Sequence, residues 1–292
     1  MTTGGLLLGV LLMTPSTRAS TAATEDEAGG LHTRVDTPHG PIHLFRPAGY
    51  ERRSAGLVIY VHGLYTRVDQ AWREHHLAAQ FAATGANALF IACEAPEAAT
   101  EEPAWADPEA MIDAALSKAR LRRPGGPLVA VGHSGAYRTL AAWLRAPALH
   151  QLILVDAMYG NEEEFRAWLQ ADRANKMTLV VKGTARRADP FVRGFPRAVT
   201  VPRIPDSFDE LTRAQRTAKL LYLRSQYGHM ELITEGRALP LLIRRTSLAR
   251  VAARAPAAPA VAGASPPPAP TSDRPDASAN VDGPGGPRDS GH

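Results

Sequence analysis

The sequence predicts an α/β protein: a single doubly wound, mostly parallel sheet with helices on both faces and no large cap domain. Two observations predict it. Short, uniformly apolar runs at residues 57–61, 88–92, 128–131, 152–155 and 177–181 alternate with stretches of helical spacing. Strands that are apolar throughout are those buried on both faces of a parallel sheet. The third of these runs ends in Gly132-His133-Ser134-Gly135-Ala136 and passes into a helical pattern with no intervening loop.

Taken in order, residues 32–36 and 42–45, separated by Pro38-His39-Gly40, read as an entry hairpin. The β-branched run 57–61 is the first buried strand. Residues 69–83 form one helix, with Trp72, Leu77 and Phe81 on its apolar face and Gly85 ending it. A second buried strand spans 88–92. Asp107-Pro108-Glu109 then opens a helix to about Ala119, since Asp caps the free N–H groups and Pro suits the first turn. Residues 128–131 are the next strand and 137–144 its helix. Strand 152–155, helix 162–169 and strand 177–181 follow. Active sites in such sheets lie at the carboxyl ends of the strands.

The two ends of the chain differ in composition from this region. The apolar run 4–13 is too short to span a bilayer, and small residues follow it up to Ser20-Thr21-Ala22. Residues 1–22 read as a signal peptide, which implies a secreted or periplasmic protein with no transmembrane segment in the mature chain. The run is preceded by no Lys or Arg, so a cytoplasmic location is the alternative. Residues 255–292 are rich in Pro, Ala, Gly, Ser and Asp and nearly devoid of large apolar side chains. Such a tail cannot bury enough surface to offset the entropy of ordering, and it is expected to be disordered, a spacer or a route of attachment to the cell envelope. The folded domain is expected over residues 31–253.

Several functions are excluded by composition. The single cysteine, Cys93, rules out an intramolecular disulfide and reads as a buried apolar residue. A formal charge of +4 with scattered arginines does not indicate nucleic acid. No Cys/His cluster has zinc spacing, and no cofactor or metal is expected. His75 and His76, adjacent on the expected helix, read as part of a solvated face.

A strand-to-helix turn without a loop forces its central residue into a strained conformation, needs small neighbours, and lifts the Ser134 hydroxyl beside a helix N-terminus. The residues 132–136 resemble the nucleophile elbow of the α/β-hydrolase superfamily, Gly-x-Ser-x-Gly, with Ala136 in place of the last glycine. The strand-His62-Gly63 sequence is a second, independent resemblance, and the likeness extends from Leu57 to the helix after His229.

The resemblance implies a catalytic order of serine, acid, histidine. Three histidines follow Ser134. His150 precedes a strand and belongs to the wrong end of the sheet, and His292 closes the tail. His229, preceded by Gly228 and followed by an apolar helical start, matches the family's base position. Two acids compete. Asp156 emerges directly from strand 152–155 and is favoured. Asp189 follows the next strand, where most of the family carries the acid, but lies several residues into an Arg-containing loop. The oxyanion hole is expected from the N–H groups of Gly135 and Leu64, with His62 shaping that loop by hydrogen bonding.

These features imply a serine hydrolase that cleaves an ester or amide, most like an exported carboxylesterase. About twenty residues separate Asp156 from Met177, enough for one helix and no lid. The site is therefore expected to be open, suited to a bulky, polymeric or short polar acyl substrate, with Tyr65, Tyr137 and Tyr159 as candidates for its mouth. Two alternatives remain at this level. One is a non-catalytic envelope binding protein of the same fold, which labelling by a fluorophosphonate distinguishes. The other is an acyltransferase using the same three residues.

Overall fold

The structure, a computed structural model, describes residues 23–252. The expected signal peptide (1–22) and tail (255–292) lie outside the described residues. The chain forms, in order, β1 (Ala23–Glu27), β2 (Gly30–Thr37), β3 (Gly40–Pro47), β4 (Gly56–Val61), α1 (Val68–Glu74), α2 (Leu77–Thr84), β5 (Ala88–Cys93) and α3 (Pro108–Lys118). It continues with β6 (Leu128–His133), a 3-10 turn over Ser134–Ala136, α4 (Tyr137–Trp143), β7 (Leu149–Val155), α5 (Glu162–Ala171) and β8 (Lys176–Val181). Last come α6 (Ala185–Arg193), β9 (Val199–Val201), α7 (Arg213–Thr217), β10 (Leu220–Arg224), α8 (Glu231–Thr234) and α9 (Ala238–Arg244).

The strands make one ten-stranded sheet in the order β1-β2-β3-β5-β4-β6-β7-β8-β10-β9. The pairs β1/β2, β2/β3 and β3/β5 are antiparallel, and every pair from β5 onward is parallel. Alternate residues of the buried strands face opposite layers. Leu57, Ile59 and Val61 of β4 pack with α3, α4, α5 and α6 through Met111, Leu140, Phe165 and Phe191. Val58 and Tyr60 pack with α1, α2, α8 and α9 through Trp72, Phe81, Leu232 and Leu242. This is the doubly wound α/β sheet read from the alternating apolar runs.

The winding places the site. From β4 the chain crosses to β5 on one side, and β6 returns on the other side of β4. Connections therefore diverge at the carboxyl ends of β4 and β6, the kind of switch point at which α/β sheets leave a crevice. Pairing of Val61 with Gly132 and of His133 with Val155 fixes the level of the strand ends. Continuing those registers brings Gly63, Ser134 and Asp156 side by side just beyond β4, β6 and β7.

Several sequence expectations are corrected. The sheet begins at Ala23, eight residues before the expected domain start at Leu31, because β1 adds to the edge of β2. The single helix expected over 69–83 is two, broken where His76 adopts a left-handed φ of 49°. Tertiary contacts explain the break. His75 turns inward with Nδ1 2.9 Å from the Tyr60 hydroxyl, and the Gln80 amide donates to the His75 and Ile233 carbonyls. His75 is thus buried, and only His76 is solvated as expected. Asp189 lies in α6, not in a loop, since burial of Ala188 and Phe191 on one face sustains a helix through Pro190. His150 lies at the start of β7, bonded to Asn175 at 2.9 Å, away from the carboxyl ends as expected. Cys93 ends β5, fully buried, and burial raises its thiol far above the ordinary value.

α1 is held to the antiparallel strands by a stacked polar cluster. Arg34 donates to Asp69 at 2.7 and 2.9 Å, His43 Nε2 lies 2.7 Å from Asp69, and His32 lies 2.8 Å from His43. Both imidazoles stack on Trp72, whose indole N–H donates to Glu27 on β1.

Burial sets a pH dependence. It lowers His43 and His75 from 6.5 to about 4, and His133 to about 3. A folded-state pKa below the unfolded value means stability that is complete above pH 6.5 and is lost as pH falls towards 4. Each such histidine accounts for roughly 2–3 kcal/mol of that loss by pH 4.5. Thermal unfolding followed by circular dichroism is expected to show a melting temperature that falls steeply from pH 7 to 4.5. A profile flat across that window contradicts burial of these rings in their neutral form.

Candidate active site

Ser134 sits at the apex between β6 and the helix that follows, with φ of 54°. A left-handed conformation at a non-glycine residue costs on the order of 1–3 kcal/mol and is held only by surrounding packing. That packing is visible. A Cβ on Gly132 would lie 2.5 Å from Leu140 Cδ1 and 3.0 Å from the Ala136 methyl, so a glycine at 132 makes room for an alanine at 136. A Cβ on Gly135 would lie 2.4 Å from Leu64 Cγ, and one on Gly63 would lie 2.8 Å from Ser134 Cβ. Small residues are required on both sides of the serine, and the Ala136 departure is accommodated.

Asp156 is the residue after β7. It is fully buried and has a φ of 45°. Its carboxylate accepts from the N–H groups of Lys182 (2.9 Å), Gly183 (3.0 Å) and Thr184 (2.9 Å), and from the Thr184 hydroxyl (2.7 Å). A fifth partner is His229, whose Nδ1 lies 2.6 Å from Oδ2. Burial by itself raises the carboxyl pKa. The bonds from His229, Lys182 and Thr184 overcome that and hold it well below the usual range. The carboxylate is therefore ionised and accepts only, so His229 Nδ1 carries a proton, and in the neutral ring the lone pair is on Nε2.

His229 lies in the loop between β10 and α8. That loop is ordered by Gly228 N–H donating to Glu231 (2.7 Å), by Tyr227 N–H donating to the Ser225 hydroxyl (2.9 Å), and by Gln226 paired with the Ile204 backbone. His229 and Ser134 line one cavity of about 420 Å³, together with Gly63, Leu64, Tyr65, Thr66, Gln70, Glu74, His75, His133 and Met230. Among the described residues no hydrogen bond joins His229 Nε2 to the Ser134 hydroxyl. Such contacts commonly close only when substrate is bound.

The loop after β4 completes the cavity wall. His62 is buried, its Nδ1 donating to the Gly63 carbonyl (2.7 Å), with Glu94 standing 2.8 Å from Nε2. Glu94 also accepts the Val68 N–H at the start of α1 (3.1 Å), so one carboxylate anchors both loop and helix. The Tyr65 N–H donates to the Glu97 carbonyl at 2.9 Å. That of Leu64 takes no acceptor among the described residues.

Asp189 is elsewhere. It accepts from the Tyr222 hydroxyl and, at 2.8 Å, from Arg224, and the Tyr222 bond is the largest influence holding it below its ordinary pKa. The structure brings Asp156, not Asp189, to His229. Of the three tyrosines named for the mouth, Tyr65 lines the cavity and is exposed, while Tyr159 stands edge-on to His229 at 6.5 Å and Tyr137 packs against Tyr159. The sequence reading missed His75 and His133, which wall the cavity from behind. It also missed the Lys182–Thr184 cradle, whose backbone donors have no side-chain signature.

No protein-family profile matches the chain, and no curated protein is significantly similar to it. Among solved structures the chain is similar to an S-formylglutathione hydrolase from Agrobacterium tumefaciens, at 8% identity and a TM-score of 0.49 over 76% of this chain and 97% of that one. It is similar to the fluorophosphonate-binding serine hydrolase F of Staphylococcus aureus at 10% identity and a TM-score of 0.48, over 76% and 98%. It is also similar to the feruloyl esterase module from Clostridium thermocellum at 10% identity and a TM-score of 0.47, over 80% and 91%. Likenesses this distant assign no activity. The sheet winding and the strand–serine–helix turn show a doubly wound, mostly parallel α/β fold with the serine at a strand end.

The tight approach of Gly63 to the elbow is testable. Gly63→Ala is expected to cost about 1–3 kcal/mol in urea unfolding, because the added methyl meets a Cβ that cannot rotate away. Equal stability to the wild type would show that the β4 loop is less closely packed on Ser134 than described.

Proposed function

We propose that the protein is a serine hydrolase acting on a carboxylic ester or amide through an acyl-enzyme at Ser134, with His229 as general base and Asp156 as the acid that orients it. The observation that carries this reading is the 2.6 Å contact between His229 Nδ1 and the saturated carboxylate of Asp156, at the level of a strained serine on the adjacent strand.

In this reading His229 Nε2 removes the Ser134 proton as Oγ attacks the carbonyl carbon. Negative charge on the carbonyl oxygen is met by the N–H groups of Gly135 and Leu64, worth a few kcal/mol in such sites. The imidazolium, stabilised by Asp156, returns its proton to the leaving alcohol or amine as the tetrahedral adduct collapses. Water then repeats the sequence on the acyl-enzyme, releasing the acid and restoring Ser134. Thr184 and the Lys182 and Gly183 backbone keep Asp156 ionised throughout, and so they support the base at one remove.

The cavity has an apolar rim, Leu64, Tyr65 and Met230, and a polar wall, Thr66, Gln70 and Glu74. Between β7 and β8 the only helix is α5, and no lid covers the site among the described residues. This lining supports a short or polar acyl substrate, or the end of a larger one. No described helix is long and apolar enough to cross a membrane. Export is proposed from the composition of residues 1–22 alone.

Treatment with a fluorophosphonate followed by peptide mass spectrometry is expected to place the adduct on Ser134. A folded protein that hydrolyses esters yet is modified elsewhere overturns the nucleophile, and one that neither reacts nor hydrolyses favours the binding-protein alternative. The acid is tested separately. Asp156→Asn is expected to lower turnover at least ~100-fold and Asp189→Asn less than ~10-fold, both folded by circular dichroism. The reverse ranking moves the acid to α6.

A further inference from the structure

Building on the serine-hydrolase reading, we infer that His133 is a positioning residue for His229: it fixes the base loop to the nucleophile by a hydrogen bond from the residue immediately preceding Ser134. His133 is the last residue of β6 and is buried, with Nε2 3.2 Å from the His229 carbonyl oxygen. A carbonyl oxygen only accepts, so Nε2 carries the proton. Burial, the dominant influence on this ring, keeps it neutral at physiological pH and hence a single-proton donor. Nδ1 faces the β4 loop, within 3.4 Å of where a Cβ on Gly63 would stand.

The geometry explains why one such bond matters. The other loop contacts hold Ser225, Gln226, Tyr227 and Gly228 and the start of α8. They leave His229 itself fixed at its ring, by Asp156 from the end of β7. A ring tethered only at Nδ1 can swing about that tether and carry Nε2 away from Ser134. His133 supplies a second anchor at the His229 backbone, from the end of the neighbouring strand β6. Two anchors on adjacent strands fix the direction of Nε2, and one of them is covalently contiguous with the nucleophile. The two imidazoles lie 4.5 Å apart, tilted by 38°, so the neutral His133 also packs the face of the base.

The proposal is tested on the full-length protein with His133→Phe and His133→Met, which fill the space without a suitable donor, and His133→Gln, which retains an N–H. Three readouts are compared: the 15N shifts of the His229 imidazole, the rate of Ser134 labelling by a fluorophosphonate, and kcat and KM for a chromogenic ester. Phe and Met are expected to lower kcat and labelling about 10- to 100-fold with KM changed less than about twofold, as misplacement of a base does. They are also expected to shift the His229 Nε2 signal, as that nitrogen swings away from Ser134, while the Nδ1–H signal held by Asp156 stays in place, with Gln restoring most of each effect. Loss of activity in all three variants, with the 15N shifts of His229 unchanged, makes His133 a packing residue and overturns the proposal. So does a folded Phe or Met variant that matches the wild type. The nitrogen shifts do not depend on turnover. If they respond as expected while Ser134 is never labelled, the hydrolase reading fails and the anchoring stands.

Discussion

The site depends on a buried negative charge that has nowhere else to go. An isolated carboxylate in a protein interior is unstable by many kcal/mol and would be protonated. Asp156 is fully buried yet held ionised, because the turn after β8 points three backbone N–H groups and a hydroxyl at it. Those donors exist only if β7 and β8 end at matching levels, which the pairing of Val155 with Val180 and the Asp156 N–H bond to the Val180 carbonyl enforce. Sheet register therefore creates the anion. The anion in turn places a His229 proton on Nδ1, which leaves Nε2 as the base of the proposed reaction.

Strain and close packing operate together on the other side. Ser134 and Asp156 both hold left-handed backbone conformations at neighbouring strand ends. Neither conformation is favourable alone. That of Ser134 persists because Leu140 fills the space over Gly132, Leu64 covers Gly135 and Gly63 passes against the serine, and that of Asp156 because its carboxylate and N–H are both bonded to β8 and the turn after it. The β4 loop is in turn pinned by His62 and Glu94, and Glu94 also starts α1. α1 carries Gln70 and Glu74 of the polar wall of the cavity and binds the antiparallel strands through Asp69 and Trp72. The entry strands thus set the position of the helix that shares a cavity with Ser134.

What could be read from the sequence follows from this physics. The elbow was legible because its demand is steric and local: small residues flanking a serine between an apolar strand and a helix. Asp156 was legible as a candidate because it abuts a strand whose pattern is clear, and His229 because the order that the resemblance implies leaves few candidates. Contacts made by backbone atoms were not legible. Lys182, Gly183 and Thr184 act through N–H groups that any residue possesses, and the His229 carbonyl is no more distinctive. Long-range pull also overrode local pattern. The periodic stretch 69–83 breaks at His76 because Tyr60 and Gln80 draw His75 and its carbonyl inward, and Asp189 became helical because Phe191 is buried. β9 is too short to carry a pattern of its own, and β1 is polar (Ala-Thr-Glu-Asp-Glu), so neither announced itself.

Packing also sets the acid–base chemistry. Three imidazoles stand in series behind the cavity, His75 to His133 at 6.3 Å and His133 to His229 at 4.5 Å. If two neighbours were cationic at once, their repulsion at 4.5 Å would be about 4 kcal/mol at an effective dielectric near 20. That would oppose the imidazolium a general base must become. Burial removes the conflict by holding His75 and His133 neutral, since neither touches a carboxylate that would repay their desolvation. His229 differs from them in two respects, its contact with Asp156 and its partial exposure to solvent. Among these three histidines, therefore, the positive charge of the proposed reaction has a single low-energy place to reside, and the apolar core that forms the sheet selects it.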